Sequence, residues 1–115
     1  MAKKVAVVIQ EDPRKTHRPV EALRIALGLT AGEHATTVIL LGEAIRLLTD
    51  NFDTDDIIDL DILEKYLPSI EQLEVPFIVP TGCDLSTLRG NFRIQCQSDG
   101  EIASILESVD CALVF

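Results

Sequence analysis

Three groups of side chains in this sequence can do chemistry on a small molecule or a partner: three cysteines, a knot of cations and a run of aspartates. The most informative is Cys83, in the stretch TGCDLSTLRG that follows the apolar run VPFIVP. Thr81 and Asp84 have the spacing of a helix-start capping pair, with Thr81 as N-cap and Asp84 three residues on. That register predicts Cys83 in the first helical turn, where free backbone N–H groups and the positive end of the helix dipole favour a thiolate. Gly82 leaves the approach to the sulfur open. Asp84 and the formal charge of −9 act in the opposite sense. A small, inert thiol is the competing reading of the same residue.

Arg14, Lys15, His17 and Arg18 form the densest cationic cluster in an otherwise acidic chain. If the first and third strands are neighbours, these residues lie near Cys83, where they would lower the thiol pKa or hold an anion. The plainer alternative is a solvated basic loop. Cys96 closes a short strand and reads as a residue packed under a helix; its sharper reading is a redox pair with Cys83. Cys111 opens the last strand and reads as core. His34 reads as a surface residue at a helix end.

Asp50, Asp53, Asp55, Asp56, Asp59 and Asp61 suggest a cation site at first sight, but the glycine and ligand spacing of an EF-hand loop are absent. They read as a solvated, self-repelling loop, or else as a docking surface for a basic partner. No metal ligand set and no cofactor is indicated.

The elements that must position these groups follow from the hydrophobic pattern. KKVAVVIQ (3–10), TTVILLG (36–42), VPFIVP (75–80), FRIQC (92–96) and CALVF (111–115) are short aliphatic runs of the kind that form buried strands. RPVEALRIALGLTAG reads as a helix that starts at Pro19 and stops at Gly32. EAIRLLTD starts a short helix. DILEKYLPSIEQL is helical but broken near Pro68. CDLSTLRG is a short helix closed by Gly90. DGEIASILESV presents Ile102, Ile105, Leu106 and Val109 on one face. Strands alternating with helices predict one α/β domain over 1–115, a mainly parallel five-stranded sheet between two helical layers, in the flavodoxin-like order 2-1-3-4-5. In such sheets, reactive groups gather beyond the carboxyl ends of the strands, near the switch point. The loops expected there are 11–18 and 80–84.

Composition narrows the function. The chain has 115 residues and is 47% hydrophobic, so a core can form without staples. Net negative charge disfavours direct nucleic-acid binding. No apolar stretch has the length of a membrane span. MAKKVAVVIQ runs into Glu11 and Asp12 without a cleavage signal, which reads as a cytosolic start. Three cysteines with no C-x-x-C argue for reduced thiols. There is no G-x-G-x-x-G, no Walker loop and no nucleophile elbow. A response-regulator reading fails because Pro80 and Thr81 stand where the phosphoacceptor aspartate belongs.

The order KKVAVVI, EDPRKTHRPVEALRIALGL, TTVILLGEAI, a Cys-bearing loop ending in LRG, and a last helix running into VDCALVF resembles the DsrE/DsrF/TusD-like sulfur-relay family over nearly the whole chain. That resemblance implies a small α/β domain assembling into trimers or hexamers, or with sister subunits. It implies sulfur held as a persulfide on a cysteine after the third strand and passed between donor and acceptor proteins, with no bound organic cofactor. Cys83 falls in that loop, one residue nearer to Arg89 and Gly90 than the family cysteine; Gly82 occupies the family register. Some members lack the cysteine. The resemblance therefore implies a cytosolic carrier on Cys83, with Arg14, Lys15, His17, Thr81, Gly82 and Asp84 in support. Its alternative is a non-catalytic oligomeric subunit or a small-anion-binding module with an unreactive Cys83.

Overall fold

The computed structural model describes residues 3–48, 60–82 and 92–115. The elements run β1 (Lys4–Ile9), α1 (Arg18–Ala31), β2 (Ala35–Leu40), a 3-10 segment (Gly42–Leu48), α2 (Leu60–Gln72), β3 (Phe77–Pro80), β4 (Ile94–Gln97), α3 (Asp99–Ser108) and β5 (Cys111–Val114). The helix expected over CDLSTLRG lies outside the described residues, as do Asp50, Asp53, Asp55, Asp56 and Asp59. Asp61 stands in the first turn of α2.

All five strands are parallel, and the sheet order is β4-β3-β2-β1-β5. The flavodoxin-like α/β sandwich is as expected, but the order 2-1-3-4-5 is not. β1 lies between β2 and β5, and β2 separates it from β3. The steps from β1 to β2 to β3 to β4 all run in one direction across the sheet. α3 then returns the chain to the free side of β1. A parallel strand buried on both faces carries no mark of its neighbour, so the apolar pattern predicts the strands and not their order.

Alternation along each strand sends side chains to two cores. Val5, Val7, Ile9, Val38, Leu40, Phe77 and Val79 pack on one face against α1, the 3-10 segment and α2. Leu23 of α1, Leu47 and Leu48 of the 3-10 segment, and Leu63 of α2 are all fully buried there. Phe77 meets Phe92 edge-to-face, with ring centroids 5.9 Å apart at 88°. The other core is thinner: Ala6, Val8, Ile39 and Ile78 lie under Ile102 of α3, with Ile105, Leu106 and Val109 at its margin. That face of α3 is as expected.

Pro19 sits in the first turn of α1, and Gly32 caps its end. α2, in contrast, runs through Pro68 without the expected break. Pro68 and Glu64 are both exposed, so the Glu64 carbonyl that loses its helical partner faces water. Leu63, Leu67 and Ile70 meanwhile hold the helix to the core from the opposite side.

Candidate functional site at the carboxyl edge of the sheet

Four described segments meet at this edge. The β1–β5 ladder extends there through Phe115, whose N–H donates to Val8 O at 2.8 Å and whose carbonyl accepts from Gln10 N at 2.8 Å. Leu41 N donates to Ile9 O at 2.9 Å, and Thr81 N donates to Gln97 O at 3.1 Å. The loop after β1, the 3-10 segment after β2, the turn after β3 and the start of α3 are thereby arranged in one row.

The β1 loop is organised by Asp12. Its Oδ1 accepts from Arg14 N at 2.9 Å, an Asx-type turn, and its carbonyl accepts from Lys15 N at 3.0 Å. Arg14 turns back on it, with Nη2 2.8 Å from Oδ2 and Nε 3.1 Å from Oδ1. The same guanidinium lies 3.6 Å from Glu43 Oε2, and Arg46 Nε reaches that oxygen at 2.6 Å. Asp12, Arg14, Glu43 and Arg46 therefore form an alternating network that ties the β1 loop to the 3-10 segment. The Arg14 side-chain hydrogen bonds, above all, hold the Asp12 carboxyl down at about 2, helped by the charge of Lys15. Beside this network, Arg18 Nε lies 3.5 Å from Glu11 Oε2, a buried oxygen with no hydrogen-bond partner. The Arg18 guanidinium also stands 6.0 Å from the centre of the Phe115 ring.

This changes the reading of the cationic cluster. Arg14 is engaged by two carboxylates and Arg18 by one. Lys15 and His17 are exposed, and His17 stands at the start of α1 without a side-chain cap. β1 and β3 are not neighbours, so the premise that brought the cluster beside Cys83 does not hold. Two strand spacings, about 10 Å, separate those strands.

At the end of β3, Thr81 and Gly82 form an exposed turn. Gly82 has φ +95°, a conformation that L-residues rarely adopt, and an added Cβ would meet nothing within 4 Å. Its backbone conformation, rather than crowding, is what calls for glycine. Cys83 and Asp84 lie outside the described residues, so the capping pair of Thr81 and Asp84 does too.

The other cysteines correct two expectations. Cys96 is exposed on β4 and is not packed under a helix; Cys111 is exposed on β5 and is not core. Both strands are outermost in the sheet, at opposite edges. Four strand spacings, about 19 Å, separate them, far beyond the Cα separation a disulfide spans. His34 is half-buried, and its Nδ1 accepts from Lys3 N at 3.2 Å. Among the described residues no group of three or more His, Cys, Asp or Glu could hold a metal ion, and no helix is long and apolar enough to cross a membrane.

One device went unanticipated. Ser98 and Glu101 form a reciprocal capping box at the start of α3, with Glu101 N donating to Ser98 Oγ at 3.2 Å and Ser98 N to Glu101 Oε1 at 3.1 Å. The S-x-x-E spacing in QSDGE carries that signal. The box fixes α3 immediately after Gln97, the residue that pairs with Thr81.

No protein-family model and no curated protein matches this sequence. Among solved structures, the crystal structure of the YchN protein from E. coli is similar with a TM-score of 0.73 at 18% identity, covering 98% of this chain and 99% of that chain. The likeness spans the whole domain and is one of fold: the chain shares the α/β sandwich of YchN.

Proposed function

We propose that this protein is a sulfur carrier that holds sulfane sulfur as a persulfide on Cys83 and passes it to a partner protein. The observation that carries the reading is the full-length likeness to a DsrE-like fold, combined with a cysteine immediately after the exposed turn that ends β3. The carboxyl edge of a parallel sheet is where such folds keep reactive groups.

The chemistry is two displacements. The Cys83 thiolate attacks the outer sulfur of a donor persulfide; the Cys83 S–S bond forms, the donor S–S bond breaks, and the donor leaves as a thiolate. An acceptor thiolate then attacks the outer sulfur on Cys83 and restores the Cys83 thiolate. One sulfur moves in each step with no net oxidation, so neither step calls for an electron carrier. Thr81 and Asp84 would cap the segment that bears the thiol, while Lys15 and His17 lie on the far side of β2. In this reading the carrier works in the cytoplasm, as a homo-oligomer or with sister subunits, between a donor protein and an acceptor protein.

Cys83→Ser is expected to abolish sulfur uptake from polysulfide, read by intact-protein mass. Cys96→Ser and Cys111→Ser are expected to load like the wild type. Full loading of Cys83→Ser would remove Cys83 from the mechanism.

A further inference from the structure

β5 is the outer strand on the β1 side of the sheet. Phe115 uses both its N–H and its carbonyl on β1. By the alternation of a parallel ladder, Leu113 and Cys111 face β1 in the same way, so the N–H and carbonyl groups of Ala112 and Val114 point away from the sheet. No described strand lies beyond them. Natural proteins blunt such edges with charge, proline or a bulge. Residues 111–115 hold no charged residue and no proline, and the register from Val5↔Cys111 to Val8↔Val114 has no bulge. Cys111, Ala112 and Val114 are all exposed. The opposite edge differs: β4 carries Gln95 and Gln97 and follows the exposed Arg93.

From this edge we infer that two copies of the chain pair β5 against β5, antiparallel, about a two-fold axis at Leu113, so that two five-stranded sheets become one. A second copy is the occupant because the strand is complementary to itself in that register. Ala112 of one copy lies opposite Val114 of the other, and each such pair exchanges both backbone hydrogen bonds, which uses every outward group of Ala112 and Val114. Small meets large on both faces: Ala112 against Val114 on the face of Ala6 and Val8, and Cys111 against Phe115 on the face of Val5 and Val7. The axis also lays the Asp110 end of each strand toward the Arg18 end of the other, an exposed carboxylate toward a guanidinium whose side chain is 51% exposed. Lys4 stands at the Asp110 end too, but one strand further from the axis. The inference deepens the homo-oligomer part of the reading above and does not depend on sulfur chemistry.

The test is the mass of the native protein in solution, by sedimentation and light scattering. The wild type is expected to be a dimer or an assembly of dimers. Ala112→Pro removes an N–H that the β1 ladder does not use, and Val114→Lys puts a charge on the exposed edge. Both variants are expected to keep the wild-type circular dichroism and to weaken self-association at least about tenfold, as loss of interchain hydrogen bonds predicts. With Cys83, Cys96 and Cys111 replaced by serine, Leu113→Cys is expected to cross-link to its copy under mild oxidation. A non-hydrogen-bonded antiparallel pair holds its Cα atoms about 4.5 Å apart, within disulfide reach. Gln95→Cys, on β4 in the same background, is expected not to cross-link. A monomeric wild type would overturn the inference. So would an assembly that Val114→Lys leaves intact, or a Leu113→Cys chain that cross-links no faster than Gln95→Cys. Should Ala112→Pro unfold the chain, Val114→Lys and the cross-link still decide. Polysulfide uptake is read separately: a dimer that takes up no sulfur sinks the carrier reading and leaves the pairing standing, and a monomer that takes it up does the reverse.

Discussion

The loop after β1 and the turn after β3 leave the same edge of one sheet and are built in opposite ways. The first is closed by charge: Asp12, Arg14, Glu43 and Arg46 satisfy one another and bind the loop to the 3-10 segment. The second is a pinned Thr81 and an exposed Gly82 leading directly to a cysteine. A dense group of cations attracts attention in a sequence. Here the arginines among them neutralise neighbouring carboxylates, while the sparse turn of Thr81 and Gly82 is exposed.

The largest effect is expected beneath the charged loop. Leu47 is fully buried under the 3-10 segment that carries Glu43 and Arg46. Leu47→Ala should cost about 2–5 kcal/mol in denaturant unfolding, the range for a buried leucine that leaves a cavity. A loss below about 1 kcal/mol would mean that the segment is not anchored as described. Arg14→Ala comes next. It strips Asp12 of its guanidinium partner and should cost about 1 kcal/mol, reduced from a fully buried pair because Arg14 is partly solvated. Its rate of sulfur uptake should stay within about twofold of wild type. A large fall in uptake would reunite the two regions in one site.

Acid unfolding tests the same network by a different route. The Asp12 carboxyl lies at about 2 in the fold, below its ordinary 3.8. A depressed carboxyl stabilises the fold above its unfolded-state value and loses that contribution as pH falls through the folded-state value. The Asp12 contribution should therefore be complete above roughly pH 4 and fade toward pH 2. Asp12→Asn should flatten the stability profile across that window; an unchanged acid limb would contradict the pairing. The smallest effect is reserved for Lys15→Gln with His17→Gln, which should shift stability by less than about 0.5 kcal/mol and leave uptake nearly unchanged. A strong effect on uptake would show that these cations serve the thiol from a distance.

Much of the fold was readable from local chemistry. Pro19 and Gly32 bracket α1 because each acts on its own backbone. The five aliphatic runs became five strands for the same kind of reason. What failed depended on surroundings. Pro68 looked like a break, yet its exposed side and the buried Leu63, Leu67 and Ile70 opposite let α2 continue. CALVF looked like core, yet β5 is outermost and Val114 stays 55% exposed beside buried Val8. The strand order decided the site as well. With β2 between β1 and β3, the loop after β1 and the turn after β3, which seemed adjacent, leave the edge two strands apart.

The most direct test is the pH dependence of alkylation at Cys83, Cys96 and Cys111 in the native protein, followed residue by residue by mass spectrometry with and without polysulfide. A carrier thiol predicts that Cys83 alone reacts with an apparent pKa well below the free-thiol value of about 8.5 and alone gains sulfur. A Cys83 that reacts no faster than the exposed Cys96 and Cys111, and gains no sulfur, would contradict the account and leave this chain with the fold but without the chemistry.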